Sequence, residues 1–267
     1  IGFISVTLFS FLINSNYKII LFLILALLGL TDDLNNLSAR FRLSVQIFIG
    51  IIYCSLIFNH SVLGLFYLSE ELILVKIALV ALMTFTFVSI INLTNFADGL
   101  DGLLTGSMIV LFSTASYLVD SNFLYIVGGL IGFLILNWNP AKVFMGDSGS
   151  YFLGALYFSA IFKTDSWVNF FSLIIIGSPL YADVISCVIR RYLDKQNIFR
   201  PHKLHLFQRL NQSGLSHWKV SLIYISIMFL LSLSSILGSF HFLIFMFVLV
   251  MFLGIYLDRF VALPFKN

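Results

Sequence analysis

The chain has 267 residues, 60% of them apolar and 10% charged, with a net charge of +3 and a mean hydropathy of +1.03. Soluble domains carry about 45–50% apolar and about 25% charged residues, so a disordered chain and an ordinary cytosolic enzyme are excluded. Two cysteines exclude a disulfide-stapled module, and +3 is too small a charge to point to nucleic acid.

What remains is an all-α, polytopic membrane helix bundle. Apolar runs of helical length occur at 1–13, 18–31, 43–58, 72–91, 103–118, 123–139, 150–162, 168–189, 219–236 and 239–257. At roughly 20 residues per span the length accommodates about ten transmembrane helices. No linker or fixed-period repeat divides the chain, which reads as one integral-membrane domain over 1–267. Ile1 already lies in an apolar run, so a further N-terminal span is expected ahead of it. Several runs are shorter than 18 residues, and some of these are expected either to tilt little or to line a cavity instead of facing lipid. Cys54 and Cys187 sit in apolar runs without CxxC spacing and read as buried core residues.

Loops after even-numbered runs, with the tail, hold twelve of the 15 basic residues; loops after odd-numbered runs hold only Lys18, Lys76 and Lys163. This bias predicts that the even loops are cytoplasmic. Asp32, Asp33, Asp98, Asp101, Asp147, Asp183 and Asp194 fall at or near that same face, whereas Glu70, Glu71, Asp120 and Asp165 lie on the other. A carboxylate inside a span costs roughly 2.5–3.5 kcal/mol on insertion scales, so acids crowded against apolar runs imply a compensating role.

In chain order, the first polar element is Asp32-Asp33, followed by Arg40 and Arg42. Adjacent carboxylates do not both stay ionised cheaply without a cation nearby. The second and strongest is Asn92-Leu-Thr-Asn95-Phe-Ala-Asp98-Gly99-Leu-Asp101-Gly102. Its polar side chains recur every third residue and would share one broad face if the segment stayed helical. Oxygen ligands so clustered suit a hard divalent cation or a nucleotide; the alternating ligands and final Glu of an EF-hand are absent.

The third element is Phe144-Met-Gly146-Asp147-Ser148-Gly149-Ser150. Gly-Asp-Ser-Gly resembles a serine-protease nucleophile, but no positioned His accompanies it. An intramembrane aspartyl protease pairing Asp147 with Asp183 is an alternative reading, and an ion-coupled transporter is a second. Transport fits less well, since the acids gather at one surface and no internal repeat is evident. The fourth element runs from Arg190-Arg191 through Pro201-His202-Lys203-Leu204-His205-Leu-Phe207-Gln208-Arg209. Half of its basic residues are explained by anionic headgroups, while Pro-His-x-x-His looks like a phosphate-binding element. A zinc site is not expected there, because no thiolate or third His is near in sequence.

Together, the Asp-Asp pair, Asn-x-x-Asn-x-x-Asp-Gly-x-Asp-Gly, Phe-Met-Gly-Asp-Ser-Gly-Ser and the His-bearing basic loop resemble the polyprenyl-phosphate N-acetylhexosamine-1-phosphate transferase superfamily. This is the MraY/WecA type, glycosyltransferase family 4, and the resemblance runs from Leu28 to about Leu210. It implies transfer of a sugar 1-phosphate from a UDP-N-acetylhexosamine to undecaprenyl phosphate with release of UMP, at the cytoplasmic face of the bacterial inner membrane. It further implies Mg²⁺ (or Mn²⁺) on Asp147 and Asn95, with Asp98 beside it. Asn92, Asp101 and Asn137 would serve the nucleotide, and Phe144 would stack on uracil. Asp32 would assist the lipid phosphate with Asp33 beside it, and Arg191, His202, Lys203 and His205 would bind phosphate. The usual Asp-x-x-His-x-His-His loop is here His202-Lys-Leu-His205-Leu-Phe207-Gln208, closer to the O-antigen and surface-polysaccharide branch. The early Pro-Arg-Gly-Gly-Gly loop of the family does not occur in the chain. The donor sugar and the oligomeric state, a homodimer included, stay open.

Overall fold

The computed structural model describes residues 4, 17–64, 73–197 and 202–265. Among these there are ten α-helices and no strand: α1 (Ile20–Asn35), α2 (Ala39–Ile57), α3 (Ile73–Ala97), α4 (Leu103–Leu118), α5 (Phe123–Asn137), α6 (Gly146–Phe162), α7 (Trp167–Leu193), α8 (Leu206–Gln212), α9 (His217–Leu237) and α10 (Phe240–Tyr256). The helices other than α8 follow the expected apolar runs. The first run lies, apart from Ile4, outside the described residues, as do Glu70 and Glu71. The seven-residue α8 is an addition, formed within what reads in sequence as one long polar segment.

Among the described residues, five helical stretches are long and apolar enough to cross a membrane: Ala39–His60, Ile73–Ala97, Trp167–Leu193, His217–Leu237 and Phe240–Val261. The chain is thus a polytopic helical bundle. α10 buries Leu243 and turns most of its other side chains outward, as a lipid-facing helix does.

The centre is α6, one of the short runs, whose residues Gly149 through Phe162 are all buried. Gly149, Ser150, Gly154, Ala155, Ser159 and Ala160 keep its surface low, which lets neighbouring backbones approach; in lipid, where helices gain no hydrophobic drive from each other, such packing supplies the association. A Cβ on Gly29 of α1 would lie 2.4 Å from the backbone of Asp147 and Ser148. Around α6, the rings of Phe22, Tyr53, Phe87 and Phe158 join α1, α2, α3 and α6 at centroid distances of 4.7, 5.8 and 5.1 Å between successive members. Aromatic pairs so placed contribute about 0.5–1.5 kcal/mol beyond the area they bury. Buried hydroxyls pair across helices, Tyr53 to Ser159 at 2.6 Å, Thr94 to Tyr181 at 2.8 Å and Thr114 to Ser232 at 2.6 Å.

The chain alternates direction, so α1, α3 and α5 end where α2, α4 and α6 begin. That rim collects Asp32, Asp33, Asp98, Asp101, Asn137 and Asp147.

Candidate active site

α3 stays helical through Asn92 and Asn95 but stops at Ala97, so Asp98 and Asp101 fall in the turn before α4 and not on a continued helix face. The three-residue spacing therefore splits into two roles. Asn92 turns to α2, donating from Nδ2 to Gln46 Oε1 at 2.6 Å and to its own Val88 carbonyl at 2.8 Å. Asn95 turns to α6, donating from Nδ2 to Asp147 Oδ1 at 2.7 Å and to Ser150 Oγ at 3.0 Å, so its amide oxygen is what remains for a cation.

A cavity of about 330 Å³ opens at this turn, lined by Asn95, Asp98, Asp101, Asn137, Phe144 and Asp147, with glycine backbone at 99 and 146. Gly146 has φ +67°, a left-handed conformation that favours glycine, and a Cβ there would stand 2.6 Å from Asp33 Oδ2. Asp33 accepts the backbone N–H of Asp147 at 3.1 Å and of Ser148 at 3.4 Å, holding the first turn of α6. Burial, with the carboxylates of Asp147 and then Asp33 nearby, pushes Asp98 up to about 7. Asp33, Asp98 and Asp147 are thus one electrostatic cluster at one rim.

Asp101 is ordered differently. It accepts Asn139 Nδ2 at 2.8 Å and the Ala141 N–H at 3.2 Å, and its other oxygen lies 3.3 Å from His217 Nδ1. Burial works against its ionised form, but these hydrogen bonds and His217 hold it below the usual carboxylate range. Asn137, at the cavity wall, accepts Thr105 Oγ1 at 2.6 Å and donates to the Val143 carbonyl at 2.9 Å, bracing the α5–α6 loop. Phe144 is 72% exposed at the cavity edge, an uncovered ring beside polar groups.

Asp32 does not line the cavity. It is 7% exposed and accepts the Leu37 N–H at 2.7 Å and the Arg42 guanidinium. Arg42 continues to Asp147 Oδ2 at 3.4 Å and Tyr151 Oη at 3.3 Å, and Tyr151 donates to Asp147 Oδ2 at 3.1 Å. Sequence reading notes Arg42 only as a cation following Asp32-Asp33, and it does not single out Tyr151, which sits four residues after Asp147, one helical turn.

The His-bearing segment stands beside this cavity. Gly99 is the point of contact, since a Cβ there would meet the Phe207 ring at 2.7 Å and Gln208 Nε2 at 3.2 Å. Phe207 stacks on His205 at 5.1 Å with 7° between planes. Burial, then His202 and Arg191, lowers His205 to about 3, and burial with Arg191 lowers His202 also. Lys203 is exposed, while Arg191 is buried and donates to Gln196 Oε1 at 3.2 Å and the Asn197 carbonyl at 2.6 Å. Phe199, Arg200 and Pro201 lie outside the described residues.

Asp183 belongs elsewhere. Its carboxylate accepts the N–H groups of Leu206 at 2.6 Å and Phe207 at 3.0 Å and the Tyr224 hydroxyl at 2.7 Å, so it anchors α8. It lines a second, largely apolar cavity between α7, α9 and α10, not the one that holds Asp147. A protease dyad of Asp147 with Asp183 finds no support in this arrangement.

A family model described as glycosyl transferase family 4 matches residues 16–164. A probable undecaprenyl-phosphate N-acetylglucosaminyl 1-phosphate transferase of Bacillus subtilis is 35% identical over 229 residues, 80% of this chain and 63% of that protein. An undecaprenyl-phosphate alpha-N-acetylglucosaminyl 1-phosphate transferase of Thermotoga maritima is 33% identical over 258 residues, 94% of this chain and 80% of that one. A phospho-N-acetylmuramoyl-pentapeptide-transferase of Staphylococcus carnosus is 31% identical over 249 residues, 82% of this chain and 76% of its own length. The chain thus spans somewhat under two thirds of the Bacillus subtilis relative's length.

Proposed function

The chain belongs to glycosyl transferase family 4, and from that we propose that it transfers the sugar 1-phosphate of a UDP-N-acetylhexosamine, or a deoxy form of one, to undecaprenyl phosphate, releasing UMP. The reaction would start a cell-surface polysaccharide at the cytoplasmic face of the bacterial inner membrane, where the twelve-to-three bias of basic residues puts this rim. The single observation that supports the reading is the pair Asp98 and Asp147 in one cavity edged by an exposed aromatic ring, with the Asp33 carboxylate holding the start of α6 beside it.

The donor set fits Mg²⁺, with Mn²⁺ as a substitute. Burial and then the carboxylates of Asp147 and Asp33 push Asp98 to about 7, the Arg42 guanidinium beside Asp147 is shared with Asp32, and hard oxygen donors suit these ions. Asp147, Asp98 and the Asn95 amide oxygen would hold the ion, which supplies neutralising charge at the donor's diphosphate. The protein's own residues do the remainder. Phe144 stacks on the base, and Asp101 reads the uridine from its rigid seat. Asn137 braces the wall between them, and Asn92 acts indirectly by tying α3 to α2. Asp32 orients Arg42, whose guanidinium sits where an incoming phosphate is repelled least. Lys203 supplies charge at the lipid phosphate, with neutral His205 donating to it from Nε2 and with His202 and Arg191 shaping their loop.

In the direct route, an oxygen of the lipid phosphate attacks the sugar-bearing phosphorus of the donor. The bond from that phosphorus to the bridging oxygen breaks, and UMP leaves with the bridging oxygen. Membranes holding the protein, given undecaprenyl phosphate and a panel of UDP-sugars, are expected to release UMP and to form a lipid-linked sugar with one of them. Absence of both products with every donor overturns the reading, and an aspartyl phosphate trapped without acceptor overturns the direct route.

A further inference from the structure

We propose that Cys187, His202 and His205 form a second cation site, separate from the carboxylate cavity, that takes a thiophilic divalent ion of the Zn²⁺ class. In sequence no thiolate is near the two histidines, but folding brings one there. α7 returns Cys187 beneath the loop, and the ligand atoms of the three residues lie within 4.8 Å of one another.

Three features distinguish this from a buried cysteine next to two packed rings. First, the donor set is imidazole and thiolate, the combination that selects Zn²⁺ over hard ions, whereas the neighbouring cavity offers oxygen alone. Second, His205 is 4% exposed, and its side chain faces the Gln208 N–H at the start of α8 while Nδ1 makes no hydrogen bond of ordinary geometry. A buried nitrogen left so is rare without a ligand to satisfy it. The stacked Phe207 ring fixes the imidazole plane, so Nδ1 cannot simply rotate to find another donor. Third, His202 Nδ1 accepts the Leu204 N–H at 3.3 Å, an interaction that sets the ring and leaves Nε2 for a metal.

Tetrahedral Zn²⁺ places such ligand atoms about 3.3–3.6 Å apart, so the three need to draw in by about 1 Å, within reach of side-chain torsions. Cys187 and His205 are buried and His202 is half-buried, which leaves one accessible side for entry and for a fourth ligand. The charged neighbours of the thiol are Asp183 on one hand and Arg191, Arg209 and Arg190 on the other. Arg190 and Arg209 are paired with Asp258 and Arg191 with Gln196 and the Asn197 carbonyl, and the Cys187 thiolate and Asp183 offset their charge. A cation there clamps the 202–205 segment onto α7.

The test is binding, not turnover, so its outcome is independent of the proposed reaction. Purified protein in detergent, with Mg²⁺ in excess to occupy the carboxylate cavity, is titrated with Co²⁺ and displaced by Zn²⁺. One equivalent of Co²⁺ is expected to give the near-ultraviolet thiolate-to-cobalt charge-transfer band. Cys187→Ser is expected to abolish the band, His202→Ala to weaken binding at least tenfold, and Cys54→Ser to leave it unchanged. No band with folded wild-type protein, or a band that persists in Cys187→Ser, overturns the site. The wild-type measurement decides the matter even if a variant fails to fold.

Discussion

The carboxylate of Asp33, at the end of α1, accepts the backbone N–H of Asp147 at 3.1 Å, at the start of α6. Two residues 114 apart in sequence are thereby fixed in one frame, and the acid beside a presumed pair becomes the cap of the helix that presents the other acid. Asp33→Ala removes a cap worth about 0.5–2 kcal/mol, which lowers the melting temperature by about 2–4 °C per kcal/mol for a chain of this size. Asp33→Asn keeps one acceptor oxygen but turns its NH2 toward the other N–H, and is expected to fall between Asp33→Ala and the parent protein. Thermal unfolding in detergent checks both.

Asp147 is the carboxylate most completely embedded among the site's polar groups, with Asn95, Tyr151 and Arg42 all directed at it. Asp147→Asn keeps the shape and removes the charge. UMP release is expected to fall by about a hundredfold or more, with little change in the melting temperature. Undiminished release would remove the metal role of this residue.

Asp98 titrates near 7 because it is buried beside two other carboxylates. Its unfolded value is about 3.9, so the folded, metal-free protein is penalised fully above pH 7 and not at all below about pH 4. Stability without metal is therefore expected to decline as pH rises from 4 to 7, and Asp98→Asn to flatten that decline. Divalent-cation affinity runs the opposite way, because protons compete for the same oxygen, and should drop by about tenfold per pH unit below 7. Isothermal titration with Mn²⁺ at several pH values reads this directly.

Arg42 bridges Asp32, Asp147 and Tyr151 with one guanidinium. All three contacts are made by Nη1, and the shorter lysine stem does not carry its ammonium to that point. Arg42→Lys is expected to lose about 1.5–3 kcal/mol of stability, because Asp32 is left buried with poorer pairing, and to lower turnover more than donor affinity. Denaturant titration together with separate kcat and KM measurements checks the split.

Gly99 carries the contact between the cavity and α8. Gly99→Ala puts a methyl group 2.7 Å from the Phe207 ring, so α8 must shift away from the rim and take His205 with it. Turnover is expected to fall by up to about a hundredfold, on the scale of a 1 Å misplacement, while the carboxylate cluster and its metal affinity stay intact. Mn²⁺ binding measured beside UMP release separates the two.

Much of this was legible before the fold was known, for identifiable reasons. Apolar runs mark helices in a membrane chain because lipid admits little else, and α1 to α7, α9 and α10 follow them. The alternation of loops between two sides then forces Asp98, Asp101, Asn137, Phe144 and Asp147 toward one rim, where they do line one cavity. What was not legible depends on which face of a helix meets which neighbour. Asn92 and Asn95 look equivalent at a spacing of three, yet one is taken by Gln46 and the other by Asp147. Arg42 reaches a partner 105 residues away, and Cys187 comes beneath His205 only because α8 folds back. No local period encodes these choices, since helix packing makes them.

The anchoring of α8 by Asp183 has an evolutionary consequence. Two backbone N–H groups and a tyrosine secure the segment at Leu206 and Phe207, so exchanging Asp183 would release α8 together with the His205 ring that stacks on Phe207. Sequences that keep this segment in place are therefore expected to keep an acid at that point of α7.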